Sequence, residues 1–465
     1  MEPLDAVMLT AELLGNPMHV GIVLLLSPPE DAGPGYVDSL YAEAVESGVE
    51  VDERLLRRPT RGLQTGGLWG WEAAGELDVT EHLQRHTLQT GTLDELWRLI
   101  GDLHEAPLSR ERPMWEAALV DGLADGRFAF YVKIHHAVVD GITGLRMLED
   151  SLSTDPDDRD MDPFFGSRRA PTEERTSRPG VPNPLRLAGA AARTATDAAT
   201  AGWRVVEGQI GNLVGGLTDP ESATLPFRAP RTRFNSPLTP KRTFAADAWD
   251  RGRVRRVQEA AGDVSSNDVV TAMIAGALRS WLAQHEELPE DSLVAICPVS
   301  VRLPDEGGEQ SGGNAFGAAL CRLGTSVDDP VERLRIISRS MTTAKQRVSK
   351  LGSVPSLLAA APSILPTILL PMLPYDPGLP PGYNLPISNV PGPRQDLYWN
   401  GAHLDEIYPV SVVYDGMALN VTVCSYVDRI CFGYIAGADA VPDIDSLVPY
   451  TEEALVELEN ALGLA

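Results

Sequence analysis

Two adjacent histidines, His135 and His136, stand in the run FAFYVKIHHAVVDGITGLRMLEDSL, residues 128–152, followed by Asp140 and Gly141. An imidazole, with an ordinary pKa of about 6.5, can take up a proton at neutral pH if it is held neutral and aimed at the reacting group. As a metal site, the pair and Asp140 lack further clustered ligands and the helical i, i+4 histidine spacing, so no metal is expected. As helpers of a nucleophile, they are accompanied by neither a G-x-S-x-G elbow nor a reactive-cysteine signature. A single histidine on an apolar element is ordinarily a packed core residue, but that reading suits a doublet followed by Asp-Gly less well. Proton transfer at a strand end is the chemistry left. In it, Asp140 would cap a helix or pair with a cation, and Gly141 would permit close backbone approach.

The flanking elements explain how such a pair could be presented. Phe128, Phe130, Val132 and Ile134 alternate with Ala129, Tyr131 and Lys133, which predicts a strand with one strongly apolar face. After Gly141, Ile142, Leu145, Met147 and Leu148 recur at helical spacing. The histidines therefore fall at a strand-to-helix junction. Neighbouring strand residues point to opposite faces, so one histidine packs while the other faces a cavity if extended geometry persists.

Elsewhere, MHVGIVLLL and SLVAICPVSVR read as strands. TLDELWRLIGDLHEAPL reads as an amphipathic helix, with Leu93, Leu96, Trp97, Ile100 and Leu103 on one face. Ser265, Ser266 and Asn267 supply N-cap chemistry, which places the start of a buried helix at Asn267 or Asp268. ALNVTVCSYVDRICFGYIA predicts a hairpin turning at Val427-Asp428-Arg429. Strands and helices alternate in both halves, an α/β pattern.

The chain's 465 residues exceed one ordinary core, and its composition is globular, with 43% hydrophobic and 22% charged residues. Thirty-nine basic against 65 acidic residues give a formal charge of −26, which repels phosphate backbones and argues against a nucleic-acid partner. The four cysteines, Cys297, Cys321, Cys424 and Cys431, form no C-x-x-C motif, and the first residues have no basic leader before an apolar core. Together these predict a reducing, cytoplasmic setting. Residues 156–235 contain two stretches rich in Pro and Arg around an Ala-rich helical stretch, Leu185 to Val214, and read as a linker between 1–155 and 236–465. The apolar segment 353–383 is interrupted by Pro362, Pro366, Pro371 and Pro374, which disfavours a membrane span. It has two readings: a surface lying against a membrane or lipid droplet, and an internal packing segment.

HHAVVDG matches HHxxxDG, the signature of the CoA-dependent acyltransferase superfamily, which includes chloramphenicol acetyltransferase and peptide-synthetase condensation domains. Nearly end to end, the chain resembles the bacterial wax ester synthase/diacylglycerol acyltransferase family. PLDAVMLTAE and NPMHVG look like its opening, with Asp5, Glu12 and His19 in familiar places. PLSRERPMWEAALVDGL is similar to its PLW-bearing segment, with Met114 in place of Leu before Trp115. SNDVV, PVSVR with GGNAFG, and SNVPGP resemble the later motifs.

The resemblance implies two chloramphenicol-acetyltransferase-like α/β domains with an active-site tunnel at their interface. It implies that His136 is the base supported by His135, and that Asp140 is structural and paired with a cation, for which Arg302 is the candidate. Asn267, in the Asn267-Asp268 motif, would be the oxyanion donor; the other reading is a helix cap. Glu12 would orient an acceptor hydroxyl or else be solvated. Trp115 and Met114 would line the tunnel or pack in the core. Asn314, Ser388 and Asn389 would face substrate or shape loops. The substrates implied are acyl-CoA and either diacylglycerol or a fatty alcohol, with no cofactor and with peripheral contact at the inner membrane or a lipid droplet through 353–383. Two alternatives stand beside this: a related acyltransferase acting on a polyketide, sugar or other secondary-metabolite hydroxyl, and a catalytically silent lipid-surface protein.

Overall fold

Alternating periods of two and of three to four residues resolve into eight helices and fourteen strands among the described residues. The computed structural model describes residues 1, 3–62, 65, 67–75, 77–166, 227–301, 315–350, 378 and 380–464. Arg302, Asn314, the stretch 185–214 and residues 353–377 and 379 of the proline-broken segment lie outside them.

In chain order the first half supplies α1 (Pro3–Leu13), β1 (His19–Ser27), α2 (Tyr36–Glu46), β2 (Arg57–Arg61), β3 (Trp69–Ala73), β4 (Leu83–Thr87), α3 (Leu93–Glu105), β5 (Trp115–Asp121), β6 (Phe128–His135) and α4 (Gly141–Asp150). The second half supplies β7 (Arg242–Asp250), α5 (Arg251–Ala261), α6 (Ser266–Gln284), β8 (Val294–Val301), β9 (Ala315–Arg322), α7 (Pro330–Lys350), β10 (Leu385–Pro391), β11 (Tyr398–Trp399), β12 (Ala402–Val410), β13 (Leu419–Tyr426), β14 (Arg429–Gly437) and α8 (Leu447–Ala461).

These strands form two six-stranded sheets, ordered β11-β12-β1-β6-β5-β4 and β7-β14-β13-β10-β8-β9, besides the small β2-β3 ribbon. The sheets do not divide the chain at one point. From within 236–465, β12 crosses over and pairs antiparallel with β1, so the second half completes the first sheet. Gly433 of β14 lies against the Pro409 carbonyl of β12 with no space for a side chain, and this is where the sheets touch. Trp97 of α3 reinforces the junction by packing edge-on against Phe244 of β7 and Tyr408 of β12.

All eight residues of β6 are buried, so the single apolar face expected for it is half of the pattern. Phe128, Phe130, Val132 and Ile134 share one apolar cluster with α2 and α4, and Ala129 and Tyr131 share another with α3 on the opposite face. Lys133, 1% exposed, reaches the C-terminal end of α3, donating to the carbonyls of Leu103 at 2.8 Å and Ala106 at 2.9 Å. These are carbonyls that a helix end leaves without intrahelical partners. Its charge is paired with Glu116 of β5 at 3.0 Å. α6 is buried along most of its length and packs on α8 at the centre of the second core.

Candidate active site

The histidine pair sits where β6 runs out. His135 is its last residue and pairs with His19 of β1, while His136 begins the turn. Their backbone amides point in opposite directions: His135 N–H donates to the Met114 carbonyl beside β5 at 2.9 Å, and His136 N–H to the Met18 carbonyl beside β1 at 2.8 Å. The turn is thus gripped from both flanking strands. It ends at Asp140, whose Oδ1 accepts the Thr143 N–H at 2.8 Å and caps α4. Of the two roles open to Asp140, capping is the one observed; among the described residues it makes no ion pair. A Cβ at Gly141 would meet no atom within 4 Å, so among the described residues no backbone crowding demands glycine there.

His135 is fully buried, and its Nδ1 accepts the Ala137 N–H at 3.1 Å. An N–H can donate only to a bare nitrogen, so the ring proton is on Nε2. That nitrogen lies 3.5 Å from Glu12 Oε1, at the outer limit of an ion-pair contact. The other Glu12 oxygen is held by Arg110, at 2.9 Å from Nε and 2.8 Å from Nη2. Burial would raise the Glu12 pKa, but His135 and Arg110 outweigh it and hold the carboxyl below its ordinary range. Glu12 is therefore neither solvated nor free: it is a buried carboxylate with one oxygen on Arg110 and the other facing His135.

His136 is half-buried, with Nδ1 enclosed and without a hydrogen-bond partner. Burial pushes its pKa below the usual imidazole value, against the opposing pulls of its own carbonyl and of Asp140. The ring is thereby kept neutral at physiological pH.

The second half brings up its own polar group. α6 starts at Ser266, with Ser265 as its cap. The Ser265 hydroxyl accepts the Asp268 N–H at 3.2 Å, and the Asp268 carboxylate accepts the Ser265 N–H at 2.8 Å. Ser265, one of the three expected cap residues, is the cap and Asp268 closes the box, so the helix begins one to two residues earlier than expected and Asn267 is free of capping duty. Asn267 instead accepts the Asn389 side-chain N–H at 3.0 Å. Asn389 and Ser388 ride on β10, held in parallel register against Val423 and Thr422 of β13. Val390, next in line, packs into the apolar cluster that contains Val138, Val139 and Leu145 of the histidine turn and α4. The amide pair itself is carried by β10 and α6 of the second half.

Trp115 resolves as core. It is 0% exposed, donates its indole N–H to the Leu55 carbonyl at 3.0 Å, and stacks on His82 and Phe165. Met114 is equally buried, with Leu9, Leu108 and Ala137, and serves the site through its carbonyl. Met18 and Arg110 lie within NPMHVG and PLSRERPMWEAALVDGL and His104 within the amphipathic α3 run, yet nothing in these runs marks the three as site residues; each is joined to the site by a contact of long sequence separation. Two surface hollows of about 440 Å³ each, one beside Trp249 and Arg253 and the other between Arg228 and Asp291, include no residue of the histidine turn.

Residues 1–270 match the wax ester synthase/diacylglycerol acyltransferase catalytic domain, and residues 312–459 match the C-terminal domain of the same family. The chain belongs to this family. A Mycobacterium tuberculosis protein named as a diacylglycerol O-acyltransferase is 38% identical over 100% of both chains. A second from that organism, similarly named, is 35% identical over 100% of this chain and 99% of its own. The wax ester synthase/diacylglycerol acyltransferase structure from Marinobacter aquaeolei VT8 superposes with a TM-score of 0.78 at 33% identity, covering 100% and 99% of the two chains. The first condensation domain of the calcium-dependent antibiotic synthetase, at TM-score 0.54 and 16% identity over 100% and 96%, shares the fold alone. The protein is thus an acyltransferase of the wax ester synthase/diacylglycerol acyltransferase family, built from two chloramphenicol-acetyltransferase-like α/β domains. No helix among its described residues is long and apolar enough to cross a membrane.

Proposed function

We propose that the protein moves a long-chain acyl group from acyl-CoA to the hydroxyl of diacylglycerol or a fatty alcohol, with His136 as general base and no acyl-enzyme. The observation that carries this reading is the setting of His136: it stands at the end of β6, gripped through the backbone between β1 and β5, with its ring Nδ1 enclosed and burial lowering its pKa. With Nδ1 turned into the protein, Nε2 is the working nitrogen. It takes the hydroxyl proton of the acceptor while the oxygen attacks the thioester carbonyl, and it returns the proton to the departing thiolate.

Asn267 is the oxyanion donor in this reading. Its Oδ1 is occupied by Asn389, which leaves its own N–H groups to face the developing charge. Glu12, Arg110 and His135 hold the turn, and Asp140 supports it by capping α4. A tunnel at the lobe interface suits long chains, because each buried methylene contributes about 0.8 kcal/mol. The space before Gly141, open among the described residues, is where the acceptor approaches, and segment 353–383 is the part that touches a membrane or lipid droplet.

The test is to incubate purified protein with palmitoyl-CoA and hexadecanol, dioleoylglycerol or a panel of polar alcohols, measuring thiol release and ester product. Ester is expected with the lipid acceptors, and none from His136→Ala. Product with polar alcohols alone would overturn the neutral-lipid assignment, and undiminished turnover by His136→Ala would overturn the mechanism.

A further inference from the structure

His19 faces His135 directly across the β1–β6 ladder, so the two side chains share one face of the sheet. His19 is 3% exposed, and its Nε2 lies 2.6 Å from the His104 carbonyl. A carbonyl only accepts, so Nε2 carries the proton and Nδ1 presents a bare lone pair. His104 is itself fixed, with Nδ1 2.7 Å from the Tyr131 hydroxyl and a further ring contact to the backbone of Ser411, beyond β12. The orientation of His19 is thus set from behind by β6, α3 and the crossover segment.

In front of it, polar atoms are left over. His19 Nδ1, His135 Nε2 and Glu12 Oε1 are each buried without a hydrogen-bond partner, and Glu12 and His135 both act on the charge of His19. Native interiors pair such atoms, because leaving them bare is costly. The set comprises one donor, His135 Nε2–H, and two acceptors, Glu12 Oε1 and His19 Nδ1. A water molecule is the smallest group that satisfies all three, donating twice and accepting once.

We propose that His19, His135 and Glu12 enclose one water molecule, and that His19 is thereby a positioning residue for the base His136. The water holds the His135 proton on Nε2. That keeps His135 Nδ1 bare to grip the Ala137 N–H, one residue past His136, and so fixes the turn. Without the His19 lone pair the water loses one of its three partners, the His135 proton is held only by the 3.5 Å approach of Glu12, and the Ala137 bond is weakened. This inference rests on the acyl-transfer reading only for its kinetic arm.

The experiment compares wild type, His19→Phe and His19→Asn, the last keeping a short polar acceptor. Nitrogen-15 spectra of His135 report its tautomer without reference to activity. Wild type and His19→Asn are expected to show protonated Nε2, and His19→Phe a mixture. In the palmitoyl-CoA assay, His19→Phe is expected to lose kcat by about 10- to 100-fold with KM for acyl-CoA little changed, the scale of a misplaced catalytic group, and His19→Asn to recover most of it. A wild-type Nδ1–H tautomer, an unchanged kcat in His19→Phe, or equal losses in both variants would overturn the proposal. Wild-type protein that releases no thiol would sink the acyl-transfer reading and leave the spectra to decide the positioning.

Discussion

Asn389 donates its side-chain N–H to Asn267 Oδ1 across 3.0 Å, joining β10 to the first turn of α6 over 122 positions of sequence. This contact fixes which end of the Asn267 amide is occupied. Asn267→Ala is expected to lower kcat by about 10²- to 10³-fold, the usual cost of one oxyanion donor, while thermal stability stays near wild type. Asn389→Ala leaves the donor present but free to turn, so a smaller loss is expected in the same assay. An Asn389→Ala enzyme with full kcat would show that the pairing does not orient the amide.

The depressed pKa of the His136 ring has a signed consequence. Protonation, which would disable the base, is displaced to lower pH, so the acid limb of kcat/KM is expected below the ordinary histidine value of about 6.5. A pH–rate profile whose acid limb falls above that value contradicts the burial argument.

The buried histidines also tie stability to pH. Burial lowers His19 to about 3 and holds His104 well down. Between the folded and unfolded values the unfolded chain binds more protons, so stability present above pH 6.5 is lost as pH falls through that window. His19 alone accounts for a loss on the order of 4–5 kcal/mol by pH 3. Urea midpoints measured from pH 7.5 downward are expected to fall once the pH passes below about 6.5.

Glu406 of β12 is 8% exposed and gathers charges from both halves of the chain. It pairs with Arg127 at 3.1 Å and Arg429 at 3.2 Å, and it accepts the Tyr408 hydroxyl at 2.8 Å. Glu406→Ala leaves Arg127 with Asp125 and the half-exposed Arg429 with solvent, but takes the acceptor from the buried Tyr408 hydroxyl, and is expected to cost about 1–3 kcal/mol, read as a lower melting temperature. Arg127→Ala leaves Glu406 with Arg429 and Tyr408, and about 1 kcal/mol is expected.

Gly141→Ala separates packing from use of space. The added methyl meets no described atom, and alanine suits a helix better than glycine, so stability is expected to hold or rise by about 0.5–1 kcal/mol. An acceptor that occupies the same space predicts reduced kcat/KM in that stable variant.

Much of the local architecture was legible in residue patterns. The β6–α4 junction, Asp140 as a cap, α3 and the turn at Val427 all follow from short-range rules, because periodicity and capping are properties of neighbouring residues. What those patterns withheld are partners. Nothing in HLDEIYPV indicates that β12 leaves its own half to pair with β1. Lys133 reads as the polar side of a half-exposed strand until α3 is seen to present its terminal carbonyls to it. Glu12 and His135 are linked by folding alone. The site was readable as a turn bearing two histidines, while the groups that hold it still are scattered along the chain.

The crossover also sets an order of assembly. β1 finds its outer neighbour only in residues 402–410, so during synthesis most of the chain has been made while one edge of the first sheet still has bare amides and carbonyls. An unpaired edge recruits other strands. The N-terminal half is therefore vulnerable to chain-to-chain association until the far end of the polypeptide arrives, and a fragment cut short of β12 inherits that exposure permanently.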